Sequence, residues 1–354
     1  MKSEKYITGI QQIGVGVENA EMAFKWYRKN FGMDIVAFDE KATAKLMLHY
    51  TQGKTCERHA ILALNFQGGG GFEIWQHTGK APEKIHEECY LGDLGIHIVK
   101  MKTANVKLAF NDFKAKGINI ISEIKETPNQ IPFFFVKDAF DNIFQFIEEA
   151  EIYEKTKFSS GGVFGAIIGV SNIETALNVY GKLLNYDKII YDSTDIFEDF
   201  NSLKGGKRKF RRVLLTHSKT RHGSFSKFYG ATQIELIQLL EGNASRIYEN
   251  RVWGDPGFIH ICFDVIGIKN LKQESESLGF PFTVDSANSF DMGDAAGHFA
   301  YISDPDGTPL EFVETHKVPI IKKWGLFINL KGRDPQNSIP RWMINTLKWK
   351  RVKE

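Results

Sequence analysis

Cysteine is scarce: Cys56, Cys89 and Cys262 are the only three in 354 residues. Their odd number and wide spacing exclude a disulfide framework, and without a CxxC pair they offer no thiolate zinc site. They read as free thiols of a reducing compartment, so a cytoplasmic location is expected. Long apolar runs are absent as well. None reaches 18 residues, and Met1 to Tyr6 lacks an apolar leader core, so neither a membrane partner nor export is expected. No charge of one sign dominates: 45 Lys+Arg against 43 Asp+Glu leave a formal charge of +2. Such a balance argues against nucleic acid as a partner. The glycine run Gly68 to Gly71 is not followed by Lys-Ser/Thr and is no phosphate-binding loop.

What the chain does contain is a fourfold repeat. In the clearest copy, Gly257-Phe-Ile-His260-Ile-Cys-Phe-Asp264-Val alternates with period two and reads as a strand. A helical pattern of Ile268, Leu271 and Leu278 follows, stopped by Gly279. Two further strands, an Asp304-Pro-Asp-Gly307 turn and a last strand with Glu311 complete a β-α-β-β-β unit. The first unit begins at Gln11-Gln12 and ends at Gly71-Phe-Glu73, with Asn19 capping its helix and Gly32 ending it. The second runs from Gly95-Ile-His97 to Gln145, and the third from Gly165 through the Asn172 cap to Gln233-Ile-Glu235. Strand spacing alternates between long and short along the four units.

A chain of this length suits two domains, and 28 phenylalanines suit sheets with covered faces. The expected division is an N-terminal domain over 1–150, a C-terminal domain over 163–316, and a basic and aromatic tail over 317–354. Glu148 to Gly162, charged and then Ser/Gly-rich, reads as the join.

Four such units, the Gly-x-x-His260-Ile strand and Asp-Pro-Asp-Gly followed by Leu-Glu311 resemble the vicinal oxygen chelate superfamily. That superfamily includes glyoxalase I, methylmalonyl-CoA epimerase, extradiol dioxygenases and bleomycin resistance proteins. The resemblance covers about residues 7 to 316 and implies an α+β fold of tandem βαβββ modules forming two cupped mixed sheets. It also implies metal ligands on the first and last strands of each unit. Carried over, these are Gln12 and Glu73, His97 and Gln145, Gly165 and Glu235, and His260 and Glu311.

Two pairings of the units remain open. If sequence neighbours pair, one site is Glu235, His260 and Glu311, with Gly165 leaving a position empty, and a weaker second site is Gln12, Glu73, His97 and Gln145. If the first unit pairs with the fourth, the set is Gln12, Glu73, His260 and Glu311, as in glyoxalase I. His260 and Glu311 belong to the site in either case. Carboxylates and imidazole suit a divalent Zn, Mn, Fe, Co or Ni ion with positions left for a small-molecule substrate.

The implied chemistry is enolate-type proton transfer on a small carbonyl or acyl compound, with Glu311 or Glu235 as base, by an isomerase, epimerase or lyase. A binding or resistance protein is the competing class, and a non-haem iron dioxygenase a third, for which Gly165 replaces an expected histidine. His298 is a further candidate substrate contact. Lys204 to Arg212 is the densest basic run, read either as a loop meeting a substrate anion or as a solvated hairpin. The tail, with Lys322, Lys323, Trp324, Trp342, Trp349 and Lys353, is expected to pack on the scaffold or on the second subunit of a homodimer.

Overall fold

Each of the four repeats folds as its pattern dictates, and their pairing sets where the site lies. The computed structural model describes residues 4–83, 89–287, 290–292, 295–321 and 326–352. The first unit comprises β1 (Tyr6–Gly16), α1 (Ala20–Phe31), β2 (Ile35–Ala44), β3 (Cys56–Leu64) and β4 (Gly71–His77). The second has β5 (Gly95–Thr103), α2 (Val106–Ala115), the short β6 (Asn119–Ile120) and β7 (Lys125–Glu126), then β8 (Pro132–Lys137) and β9 (Ile143–Glu148). In the third are β10 (Val163–Gly169), α3 (Ile173–Leu177), β11 (Lys188–Asp195), β12 (Phe210–Thr216), the single turn α4 (Ser226–Tyr229) and β13 (Gln233–Leu239). The fourth has β14 (Gly257–Ile266), α5 (Ile268–Ser277), β15 (Val284–Asp285), β16 (Phe290–Met292), β17 (Ala295–Ser303) and β18 (Pro309–Ile321). Beyond the repeats lie β19 (Leu326–Asn329) and α6 (Arg341–Asn345).

Helix ends follow the capping residues. Asn19, Asn105 and Asn172 each accept a hydrogen bond from a backbone N–H of the first turn, satisfying a donor the helix itself leaves free. Gly32 closes α1 at φ 68°, a left-handed conformation that costs glycine little.

Two curled mixed sheets result. One runs β15-β17-β18-β14-β1-β4-β3-β2, with β16 and β19 on side branches, and the other runs β11-β12-β13-β10-β5-β9-β8-β6, with β7 at its edge. The first sheet therefore joins units one and four, and the second joins units two and three. Both joints are antiparallel pairs of first strands, β1 with β14 and β10 with β5. The division expected at 150–163 separates repeats but not sheets, because each sheet takes one unit from either side of it.

The helix-bearing faces of both sheets share one apolar core, which includes Ile13, Phe31, Phe72, Val99, Ile168 and Phe312. Each fully buried side chain of this kind contributes roughly 1.5–3 kcal/mol. The opposite, concave faces carry the functional side chains. The tail packs on the scaffold as its apolar residues suggested: Ile328, Leu330, Ile339 and Ile344 cover Ile35, Leu62 and Phe66. Trp342 and Trp349 stay exposed. Lys322, Lys323, Trp324 and Lys353 lie outside the described residues. Among the described residues no helix is long and apolar enough to cross a membrane.

Candidate metal centre

In the first cup, strand register alone brings four polar residues together. Across the joint Gln12 stands opposite Cys262, and Gly14 opposite His260. On the outer sides, Glu73 neighbours Gly14 and Glu311 neighbours Cys262. Residues paired in this way share a face, so Gln12, Glu73, His260 and Glu311 all face the cup. Gly14 is required here, since an added Cβ would collide with the His260 imidazole.

The side chains converge closely. Nε2 of His260 lies 3.0 Å from Glu311 Oε2 and 3.3 Å from Glu73 Oε2. The Gln12 amide donates to Glu73 Oε2 at 3.3 Å and to Glu311 Oε2 at 3.4 Å. One ligand atom from each of Glu73, His260 and Glu311 lies within 4.8 Å of the others, and all three residues are buried. Burial disfavours a charged imidazole, but Glu311 and Glu73 outweigh it and raise the His260 pKa to about 9. Burial likewise pushes the Glu73 carboxyl up, and the bonds to His260 bring it below its ordinary value.

These residues fit a divalent ion. Two buried carboxylate oxygens converge on one imidazole nitrogen, as ligands of a single metal ion would. Gln12 Oε1 has no hydrogen-bond partner among the described residues. An amide oxygen with no other role is the donor that a hard or borderline ion accepts.

Aromatic side chains wall the cup. Trp75 and Trp253 meet edge to face at 4.6 Å, Trp253 stacks on His260 at 6.0 Å, and Tyr301 meets the His260 edge at 5.5 Å. Trp253 arrives on the segment before β14 and is tied by its backbone N–H to the Tyr50 carbonyl at 2.9 Å. His298 pairs with Asp285 at 2.6 Å, while its neighbours Phe299 and Tyr301 pack in the cup with Trp253.

Glu235 is not part of this cluster, which corrects the set expected from pairing sequence neighbours. It lies in the other sheet, where the Lys100 ammonium reaches it at 2.6 Å, Arg212 at 2.6 Å and the Tyr191 hydroxyl at 2.8 Å. Burial would raise the Glu235 carboxyl, but Arg212 and Lys100 outweigh it and hold its pKa at about 2. A carboxylate so paired is a poor base.

Nor does His97 face this second cup. The joint pairs Ile168 with Ile96 and Ile167 with Ile98, leaving His97 as the extra residue of a bulge. It stands where Ile259 stands in β14, and the counterpart of His260 is Ile98. Burial lowers the His97 pKa to about 4, against the pull of Asp93. Gln145 does lie beside Lys100 in register and is fully buried. The second cup thus holds Gly165, Glu235, Ile98 and Gln145 where the first holds Gln12, Glu73, His260 and Glu311.

Two residues escaped the sequence reading. Lys100 alternates with buried apolar residues along β5, and a lysine inside such a strand was the available signal. Arg212 ends the basic run, yet it is fully buried, bonds Asp199 at 2.8 Å and lies 3.8 Å over the Phe200 ring. Its neighbour Arg211 pairs on the surface with Asp192 and Glu174. The run thus ends inside the sheet, and Arg212 is not part of a solvated hairpin.

Comparison with known proteins agrees with the fold. Residues 9–146 match the sequence profile of the Glyoxalase/Bleomycin resistance protein/Dioxygenase superfamily. A search of curated protein sequences found no match. Solved structures with the same fold include glyoxalase I from Zea mays, 13% identical, with a TM-score of 0.52 over 88% of this chain and 92% of that one. Another is a proposed dioxygenase from Bacillus subtilis subsp. subtilis str. 168, 10% identical, with a TM-score of 0.55 over 88% and 86%. Residues 9–146 thus carry the sequence profile of the Glyoxalase/Bleomycin resistance protein/Dioxygenase superfamily, and the four units together share the fold of these solved structures.

Proposed function

We propose that the first cup is the divalent-metal centre of an enzyme that moves a proton beside a carbonyl group, as an isomerase, epimerase or lyase does. The observation that carries this reading is the convergence of Glu73, His260 and Glu311 from units nearly 200 residues apart into one buried cluster. His260 through Nε2, one oxygen each of Glu73 and Glu311, and Oε1 of Gln12 would hold a Zn, Mn, Fe, Co or Ni ion. Such an ion polarises a carbonyl oxygen and acidifies the neighbouring C–H. Glu73 or Glu311 is placed to take and return that proton. The Trp75, Trp253 and Tyr301 wall gives the cluster apolar surroundings that strengthen its electrostatics.

The ligand set favours this chemistry over oxygen activation at iron. Non-haem iron oxygenases use two histidines and one carboxylate, whereas this cluster offers one histidine and two carboxylates. The test is solvent deuterium exchange, read by proton NMR, for metal-loaded protein given a panel of small 2-hydroxy and 2-oxo compounds. At least one compound should lose its C–H signal, and Glu311→Gln should slow the loss about 100-fold or more. Tight binding without exchange across the panel would instead mark a ligand-binding protein.

A further inference from the structure

Outward from the metal cluster, the cup presents hydrogen-bond donors that the protein leaves without acceptors. On β3 and β4, Leu62 pairs with Glu73, Ala60 with Trp75 and Arg58 with His77, so all six share the face of the cluster. Same-face residues stand about 7 Å apart along a strand, which puts Trp75 one step and Arg58 two steps out from Glu73. Trp75 is fully buried and Trp253 is 6% exposed, yet neither indole N–H has an acceptor among the described residues. An indole can only donate, and a buried donor without an acceptor is costly.

Arg58 adds a charge to the same end. One arm of its guanidinium bonds Glu40 at 3.1 Å, while Nη1, equally buried, has no partner among the described residues. Three unpartnered donors, one of them cationic, thus stand on or beside the face that carries a cluster suited to binding a pair of oxygens.

We propose that Arg58, Trp75 and Trp253 form a carboxylate-binding end of the first cup, and that the substrate is a compact carbonyl compound carrying a carboxylate beyond its metal-binding oxygens. This rests on the metal-centre reading above. A carboxylate accepts hydrogen bonds from donors of both kinds and pairs with the free guanidinium arm. The aromatic walls strengthen that pairing by excluding water. A neutral substrate would leave the same donors desolvated and unpaired.

The test uses two hydroxamates on the zinc-loaded protein. Succinomonohydroxamate and butyrohydroxamate present the same pair of vicinal oxygens and differ in a terminal carboxylate against a methyl group. Quenching of indole fluorescence gives both affinities. The carboxylate should bind about ten-fold or more tightly, the scale of one charge-assisted hydrogen bond. Arg58→Met should reduce that ratio to near one while leaving zinc content and butyrohydroxamate affinity unchanged. Trp75→Phe and Trp253→Phe, which keep a ring and remove the N–H, should each lower the ratio in part. Equal affinities in the wild type, a ratio that survives Arg58→Met, or failure of both hydroxamates to bind zinc-loaded protein would overturn the proposal. Failure to take up zinc at all would instead remove the metal-centre reading beneath it.

Discussion

Arg212→Met is expected to destabilise the protein by about 3–5 kcal/mol, the cost of breaking a buried ion pair by removing one partner. The guanidinium is fully buried, bonds Glu235 and Asp199, and lies over Phe200 and Phe197. Its loss leaves Glu235 with Lys100 as its one cation and Asp199 with no cation among the described residues. Urea denaturation monitored by circular dichroism gives the difference directly. Lys100→Met should cost less, since Arg212 still faces Glu235. A cost below about 1 kcal/mol for Arg212→Met, the range of exposed pairs, would show that the second cup is not held together by this network.

The second large effect is expected from a residue that touches no ligand. Gly14→Ala places a methyl group against the His260 ring, and the imidazole must leave the position where Nε2 meets Glu73 and Glu311. Metal affinity, measured by competition with a chromophoric chelator, should fall about 100-fold, the upper range for losing the support of a ligand. Circular dichroism should be little changed, because Gly14 has no positive φ that the alanine would strain. Wild-type affinity in Gly14→Ala would mean that His260 is not a ligand in this orientation.

The two cups show what one scaffold does with different residues. At matching register positions the first carries Gln12, Glu73, His260 and Glu311, and the second Gly165, Glu235, Ile98 and Gln145. One carboxylate persists in both. In the first cup it meets an imidazole and a second carboxylate; in the second it meets Lys100 and Arg212. Fixed cations there neutralise the charge that a metal would otherwise balance.

Much of this was legible in the sequence because the signals are local. Period-two alternation around His260, the Asn19 and Asn172 caps and the Asp304-Pro-Asp-Gly307 turn each follow from residues within a few positions. His260 and Glu311 stood out for the same reason. The partner of that pair was not legible, because either sheet joint satisfies the same strand patterns. Only the register of β1 against β14 brings Glu73 in and leaves Glu235 out. His97 was misplaced by one bulge residue, and a single-residue slip turns a strand side chain to the other face. Arg212 read as part of a basic surface run because its partners Asp199 and Glu235 lie 13 and 23 residues away.

One metal ion is proposed to be held by units one and four. This is tested most directly by elemental analysis of tag-free protein after loading with zinc and removal of excess metal, comparing wild type with Glu73→Gln and Glu235→Gln. About one ion per chain is expected in the wild type and in Glu235→Gln, and none in Glu73→Gln. Retention in Glu73→Gln with loss in Glu235→Gln would contradict the cluster described here, and no metal in any of the three would remove the metal centre altogether.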